Sequence, residues 1–67
     1  PMRFTLNGAP RDGAGGLTLG ALLTELGLRV EALAVAKNGA VVPRAALPTT
    51  PISEGDQIEL VRAVGGG

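Results

Sequence analysis

Apolar and polar positions alternate along Met2-Arg3-Phe4-Thr5-Leu6, the two-residue period of a strand with one buried face. Asn7-Gly8 follows, two residues that tolerate the positive φ angles of a tight hairpin turn. A weaker return strand is expected over Ala9 to Ala14. Pro10 puts it at a sheet edge, because proline donates nothing to a ladder. After Gly15-Gly16 the period changes. Leu19, Leu22, Leu23 and Leu26 recur at the spacing of one helix face. Thr18 is placed to cap the free N–H groups, Leu17 and Leu22 to staple the first turn, and Gly27 to close the helix in a left-handed conformation. Gly20 weakens this helix by about 1 kcal/mol relative to alanine, so the segment is expected to lean on a sheet beneath it.

The second half returns to strands. Val30 to Ala36 reads as a strand that is apolar on both faces. Asn38-Gly39 is a second hairpin signal leading into Val41-Val42, which Pro43 ends. Pro48 and Pro51 make Ala45 to Ile52 a loop with room for one tight turn, and Ser53-Glu54-Gly55-Asp56 a further turn. Gln57 to Val64 is the last strand. Ile58 and Leu60 alternate against Glu59, and its branched residues suit a central position in the sheet. The expected fold is therefore a single α+β domain spanning the whole chain, a mixed sheet of four to five strands gripping one helix. The last strand would deliver Gly65, Gly66 and Gly67 beyond the sheet.

Composition narrows the chemistry. The 67 residues include no Cys and no His, which removes a thiolate nucleophile, an imidazole base and the usual zinc ligands. With no Trp or Tyr, and six basic side chains balanced by six acidic ones, nothing points to a nucleic-acid partner. No apolar run approaches the roughly 20 residues of a membrane span, and the start lacks the regions of a signal peptide. A cytoplasmic protein is expected, with Met2 as the natural start and Pro1 set aside.

Several local signals carry bland readings. "GAGG" before the helix lacks the lysine and hydroxyl residue of a phosphate-binding loop, and reads as a loop-closing turn. Asp12, Glu54, Asp56 and Glu59 lack the spacing of a calcium loop and read as turn or surface residues. Lys37, the only lysine, reads as a solvated hairpin residue. There remains the glycine run. From the residues alone it is either a loose end, as most termini are, or a segment whose terminal carboxylate does the work. Such a carboxylate could attack the α-phosphorus of ATP and become an acyl-adenylate. Residues without a Cβ could thread a narrow channel to bring it there.

Taken in order, these features resemble the ThiS family of bacterial sulfur carriers. The residues that carry the likeness are Asn7-Gly8, "LTLGALLTELGL", "AVAKNGAVVPR", Glu54-Gly55-Asp56, "QIELVRAV" and Gly66-Gly67. The resemblance covers Met2 to Gly67. It implies a ubiquitin-like β-grasp fold and a role in making the thiazole moiety of thiamin. It implies that a ThiF-like adenylyltransferase activates the Gly67 carboxylate with ATP and magnesium. A persulfide or sulfide donor would then convert it to a thiocarboxylate, and the thiazole synthase ThiG would take the sulfur. Gly65 and Gly66 become the threading segment. Val61, Ala63 and Val64 become partner-binding residues on the exposed face of the last strand. The chain itself would be no enzyme. Gly65 departs from the family pattern by adding a third glycine, and Lys37 stands where relatives often have a neutral residue. Related carriers for tRNA thiolation or molybdopterin synthesis share the chemistry. A binding module with an idle tail is the alternative of another class.

Overall fold

The computed structural model describes residues 1–62. Five strands form one mixed sheet: β1 (Met2–Leu6), β2 (Ala9–Gly13), β3 (Leu33–Lys37), β4 (Ala40–Val42) and β5 (Gln57–Arg62). Their order across the sheet is β2-β1-β5-β3-β4. β5 is central, as its branched residues suggest. It runs parallel to β1, with Thr5 opposite Gln57 and Leu6 opposite Ile58. On its other side it runs antiparallel to β3, from Lys37 opposite Ile58 to Leu33 opposite Arg62. Pro10 lies in β2 at one edge.

Both hairpins turn on Asn-Gly with positive φ at each residue, 50° and 84° at Asn7-Gly8 and 52° and 84° at Asn38-Gly39. This is the turn whose twist matches that of the flanking strands. The helix α1 (Leu19–Glu25) lies across one sheet face. Thr18 caps it, its hydroxyl accepting from the Ala21 N–H at 3.1 Å. At the other end Gly27 takes φ 69°. The Gly27 N–H donates to the Thr24 carbonyl and the Leu28 N–H to that of Leu23, the paired bonds of a Schellman closure. Seven residues are too few for a helix to persist alone, so packing must hold this one. Leu19, Leu22 and Leu23 meet Phe4, Val35 and Ile58 from the sheet in a core where each is no more than 2% exposed.

One expectation changes and another gains detail. The strand expected over Val30 to Ala36 is a 3₁₀ turn at Val30–Ala32 followed by β3. Val30 packs against the core from the turn, so its apolar character does not mark a strand. The Ala32 N–H bonds the Arg29 carbonyl, and the last described rung between β3 and β5 is Leu33 opposite Arg62. The segment Ala45 to Ile52 is the loop with one tight turn that its prolines indicate, and it also reaches the core. It opens on a 3₁₀ turn at Arg44–Ala46 and sends Leu47 and Ile52 into the core, 2% and 3% exposed.

This segment, and not only the sheet, supports α1. The Leu19 N–H donates to the Thr50 carbonyl at 2.9 Å and the Gly20 N–H to the Leu47 carbonyl at 2.8 Å. With the Thr18 cap, the first three N–H groups of the helix are engaged inside the protein. An anion at the end of "GAGG" would find them occupied.

Candidate functional site

The sequence points to β5 and the residues beyond it. Ala63, Val64, Gly65, Gly66 and Gly67 lie outside the described residues. Val61 is described. Ile58 is buried and Leu60 packs against the core, so the odd-numbered positions of β5 face away from the helix. Val61 is 60% exposed there. It stands opposite Ala34. One strand further out, Ala36 stands opposite Val41, which is 76% exposed. Val61, Ala34, Ala36 and Val41 thus form an apolar patch across β5, β3 and β4 on the open face of the sheet. Val41 was not among the residues singled out from the sequence. The signal was present: in "AVAK" and "AVV" the apolar residues outnumber what one buried face needs.

The strand is flanked on its two sides by the hairpin asparagines. Asn38 donates its N–H to the Gln57 carbonyl at 2.8 Å, and its side-chain Oδ1 accepts the Gln57 N–H at 2.9 Å. Asn7 donates its N–H to the Ile58 carbonyl at 2.9 Å, and its Oδ1 accepts the Leu60 N–H at 2.8 Å. In each case Oδ1 takes the ladder position of the residue's own carbonyl, which the left-handed turn conformation carries out of the sheet. Asparagine therefore serves twice, tolerating the positive φ and restoring the bond that the φ removes.

Asp56, just before β5, is the buried charged residue among those described. It accepts from Asn38 Nδ2 at 3.0 Å and from the Ser53 N–H at 2.8 Å, with Lys37 Nζ 3.4 Å away. Burial pushes its carboxyl up. The bonds from Asn38 and Ser53 and the charge of Lys37 more than offset this and hold it below the usual 3.8. Lys37 itself is not the solvated residue its hairpin position suggested. It shares the core-facing side of β3 with Leu33 and Val35, and its Nζ donates to the Pro51 carbonyl at 2.7 Å. Asp12 pairs with Arg3 at 3.0 Å, and Glu54 accepts the Arg3 N–H at 2.8 Å, so these acids serve the fold. Among the described residues no cluster of three or more acidic side chains is placed to hold a metal ion.

Comparison with known proteins agrees with this geometry. The chain matches the sequence model of the ThiS family over residues 4–67. It is 44% identical over 66 residues to a thiazole synthase of Magnetococcus marinus and 35% identical to one of Paramagnetospirillum magneticum. Each alignment covers 98% of this chain and 20% of the relative, so the chain spans about a fifth of the length of those proteins. Among solved structures it resembles the crystal structure of the thiamine biosynthesis protein ThiS from Geobacter metallireducens, with a TM-score of 0.84 and 38% identity over 98% of this chain and all of the other. The solution structure of a thiamine biosynthesis protein from that organism gives a TM-score of 0.77 over 98% and 88%.

Proposed function

The chain belongs to the ThiS family, and on that premise we propose that it carries sulfur in the synthesis of the thiazole moiety of thiamin. The observation that carries this reading is the family match, which runs through the final glycines at residues 4–67. The working group is the carboxylate of Gly67. A ThiF-like enzyme, using ATP and magnesium, lets a carboxylate oxygen attack the α-phosphorus, and pyrophosphate leaves. A sulfide or persulfide donor then supplies sulfur to the acyl carbon, AMP leaves, and a thiocarboxylate remains. Oxygen has been exchanged for sulfur with no net oxidation when the donor is sulfide; a persulfide donor needs a thiol to reduce the disulfide that results. A thiazole synthase of the ThiG kind accepts the sulfur. The chain offers no catalytic group, so base, metal and nucleophile come from the partners. We place the reaction in the cytoplasm, where ATP is supplied.

Gly65 and Gly66 give the terminus a backbone narrow enough to enter a partner's channel. Val61, with Ala63 and Val64 beyond it, contributes the apolar contact beside that channel, and the neighbouring patch at Val41 extends it. The names of the relatives favour the thiamin pathway over tRNA thiolation or molybdopterin synthesis. Relatives named thiazole synthase hold a segment similar to this chain within a longer polypeptide, which fits a carrier that works beside that enzyme.

Intact mass spectrometry tests the reading. The protein incubated with ATP, magnesium, a ThiF-like enzyme and sulfide gains the mass of one sulfur less one oxygen. Deletion of Gly66 and Gly67 abolishes the gain. An unchanged mass with a partner shown to be active on another carrier overturns it.

A further inference from the structure

β5 is held unequally on its two sides. β3 accompanies it to Arg62, but β1 pairs with it only at Gln57 and Ile58 before turning away at Asn7-Gly8. The Asn38 bonds to Gln57 show that odd-numbered residues of β5 direct their backbone groups to β3. Even-numbered residues therefore direct theirs to the β1 side. Among the described residues past Ile58, that side holds one bond to a side chain, from the Leu60 N–H to Asn7 Oδ1 at 2.8 Å. It joins residues 53 apart in the chain. It lies two residues before Arg62, at the point where the strand leaves the cover of β1.

We propose that Asn7 is a positioning residue for the carrier terminus: its side-chain amide fixes the direction in which β5 leaves the sheet. This rests on the carrier reading above. An extended strand advances about 3.3 Å per residue, so a rotation of about 10° at Leu60 displaces Arg62, two residues on, by roughly 1 Å and turns the heading of the strand's end by the same angle. Channel entry requires the terminus to approach along one direction. Loss of the tether on one side spreads the directions sampled and lowers the fraction that can enter. A lower competent fraction raises the apparent dissociation constant in proportion and leaves the chemical step alone.

Asn38 provides the matched control. It makes the same kind of side-chain bond on the β3 side of β5, to Gln57, and has a further partner in Asp56. Its loss should therefore cost more stability and leave the exit direction unchanged.

The test compares wild type, Asn7→Gly, Asn7→Asp and Asn38→Gly as substrates of the ThiF-like enzyme, well below each variant's unfolding temperature. Amide exchange is followed at Leu60 and Gln57. Glycine keeps the left-handed turn and removes the acceptor, and aspartate restores an acceptor oxygen. Asn7→Gly is expected to raise KM for adenylation about fivefold with kcat unchanged and to speed exchange at Leu60. Asn7→Asp returns both toward wild type. Asn38→Gly speeds exchange at Gln57, lowers the unfolding temperature further and keeps the wild-type KM. Wild-type KM in Asn7→Gly, or an equal rise in Asn38→Gly, overturns the positioning role while the carrier reading stands. Failure of the wild type to gain sulfur overturns the carrier reading and this proposal with it.

Discussion

Gly20→Ala sets helix propensity against packing, and the structure decides which prevails. In an exposed helix the substitution stabilises by up to about 1 kcal/mol, because alanine loses less backbone freedom on folding. At this position a Cβ would stand 3.0 Å from Pro48 Cα and 3.3 Å from both the Leu47 carbonyl oxygen and the Pro48 nitrogen. Carbon atoms pack at about 3.5–4.0 Å, so the overlap with Pro48 is roughly half an ångström. The obstacle is backbone, and it is anchored. Leu47 and Ile52 hold the segment in the core, and the bonds from Leu19 to Thr50, Gly20 to Leu47 and Ile52 to Leu17 fix it against the helix. Overpacking of this kind costs about 1–3 kcal/mol. Lengthening the 2.8 Å bond from Gly20 to Leu47 gives up part of about 1 kcal/mol more. Set against the propensity gain, the variant should be less stable by about 1–2 kcal/mol. Urea unfolding measures this directly: with m near 1 kcal/mol/M, the midpoint falls by about 1–2 M. Amide exchange at position 20 should accelerate ahead of global unfolding. A variant more stable than wild type, with that amide still protected, would show that the segment yields and that the packing argument is wrong.

Three further outcomes are expected of the same structure. Asp56 has a folded-state pKa below its unfolded value, so its stabilisation is complete above pH about 4 and is lost as pH falls through the folded value. Asp56→Ala, which strands the Asn38 and Ser53 donors, should cost about 1–3 kcal/mol at pH 7 and flatten the acid limb of a stability–pH profile; an unchanged limb refutes the assignment. Val61 and Val41 face solvent, so Val61→Lys and Val41→Lys should each shift stability by less than about 1 kcal/mol while weakening binding to the proposed adenylating partner. Calorimetric titration showing wild-type affinity for both would remove the patch from the interface. Gly66→Ala should leave the unfolding curve unchanged and slow adenylation, because the added Cβ obstructs the channel; normal adenylation kinetics would defeat the threading argument.

Some of this molecule was legible in the residues and some was not, and the division tracks distance along the chain. The alternation at Met2–Leu6, the helical spacing of the leucines, the Thr18 cap, the Gly27 closure and the two Asn-Gly turns all depend on neighbours a few residues apart. Sequence alone determined them, and the order of the motifs pointed to the family; the branched residues of β5 suited a central place that only its pairing with β1 and β3 established. The residues could not show that Val30–Ala32 turns before β3 begins, because an apolar side chain reaches the core from either conformation. The burial of Leu47 and Ile52, the backbone support under Gly20 and the seat of Lys37 on the Pro51 carbonyl each needed a partner far along the chain. The asparagines show the boundary within one residue type. Local backbone sterics made Asn7 and Asn38 turn residues, but only the tertiary structure brought their amides to β5. A side chain's bonding partner is set by which strands lie adjacent, and that adjacency exists only once the whole sheet has formed.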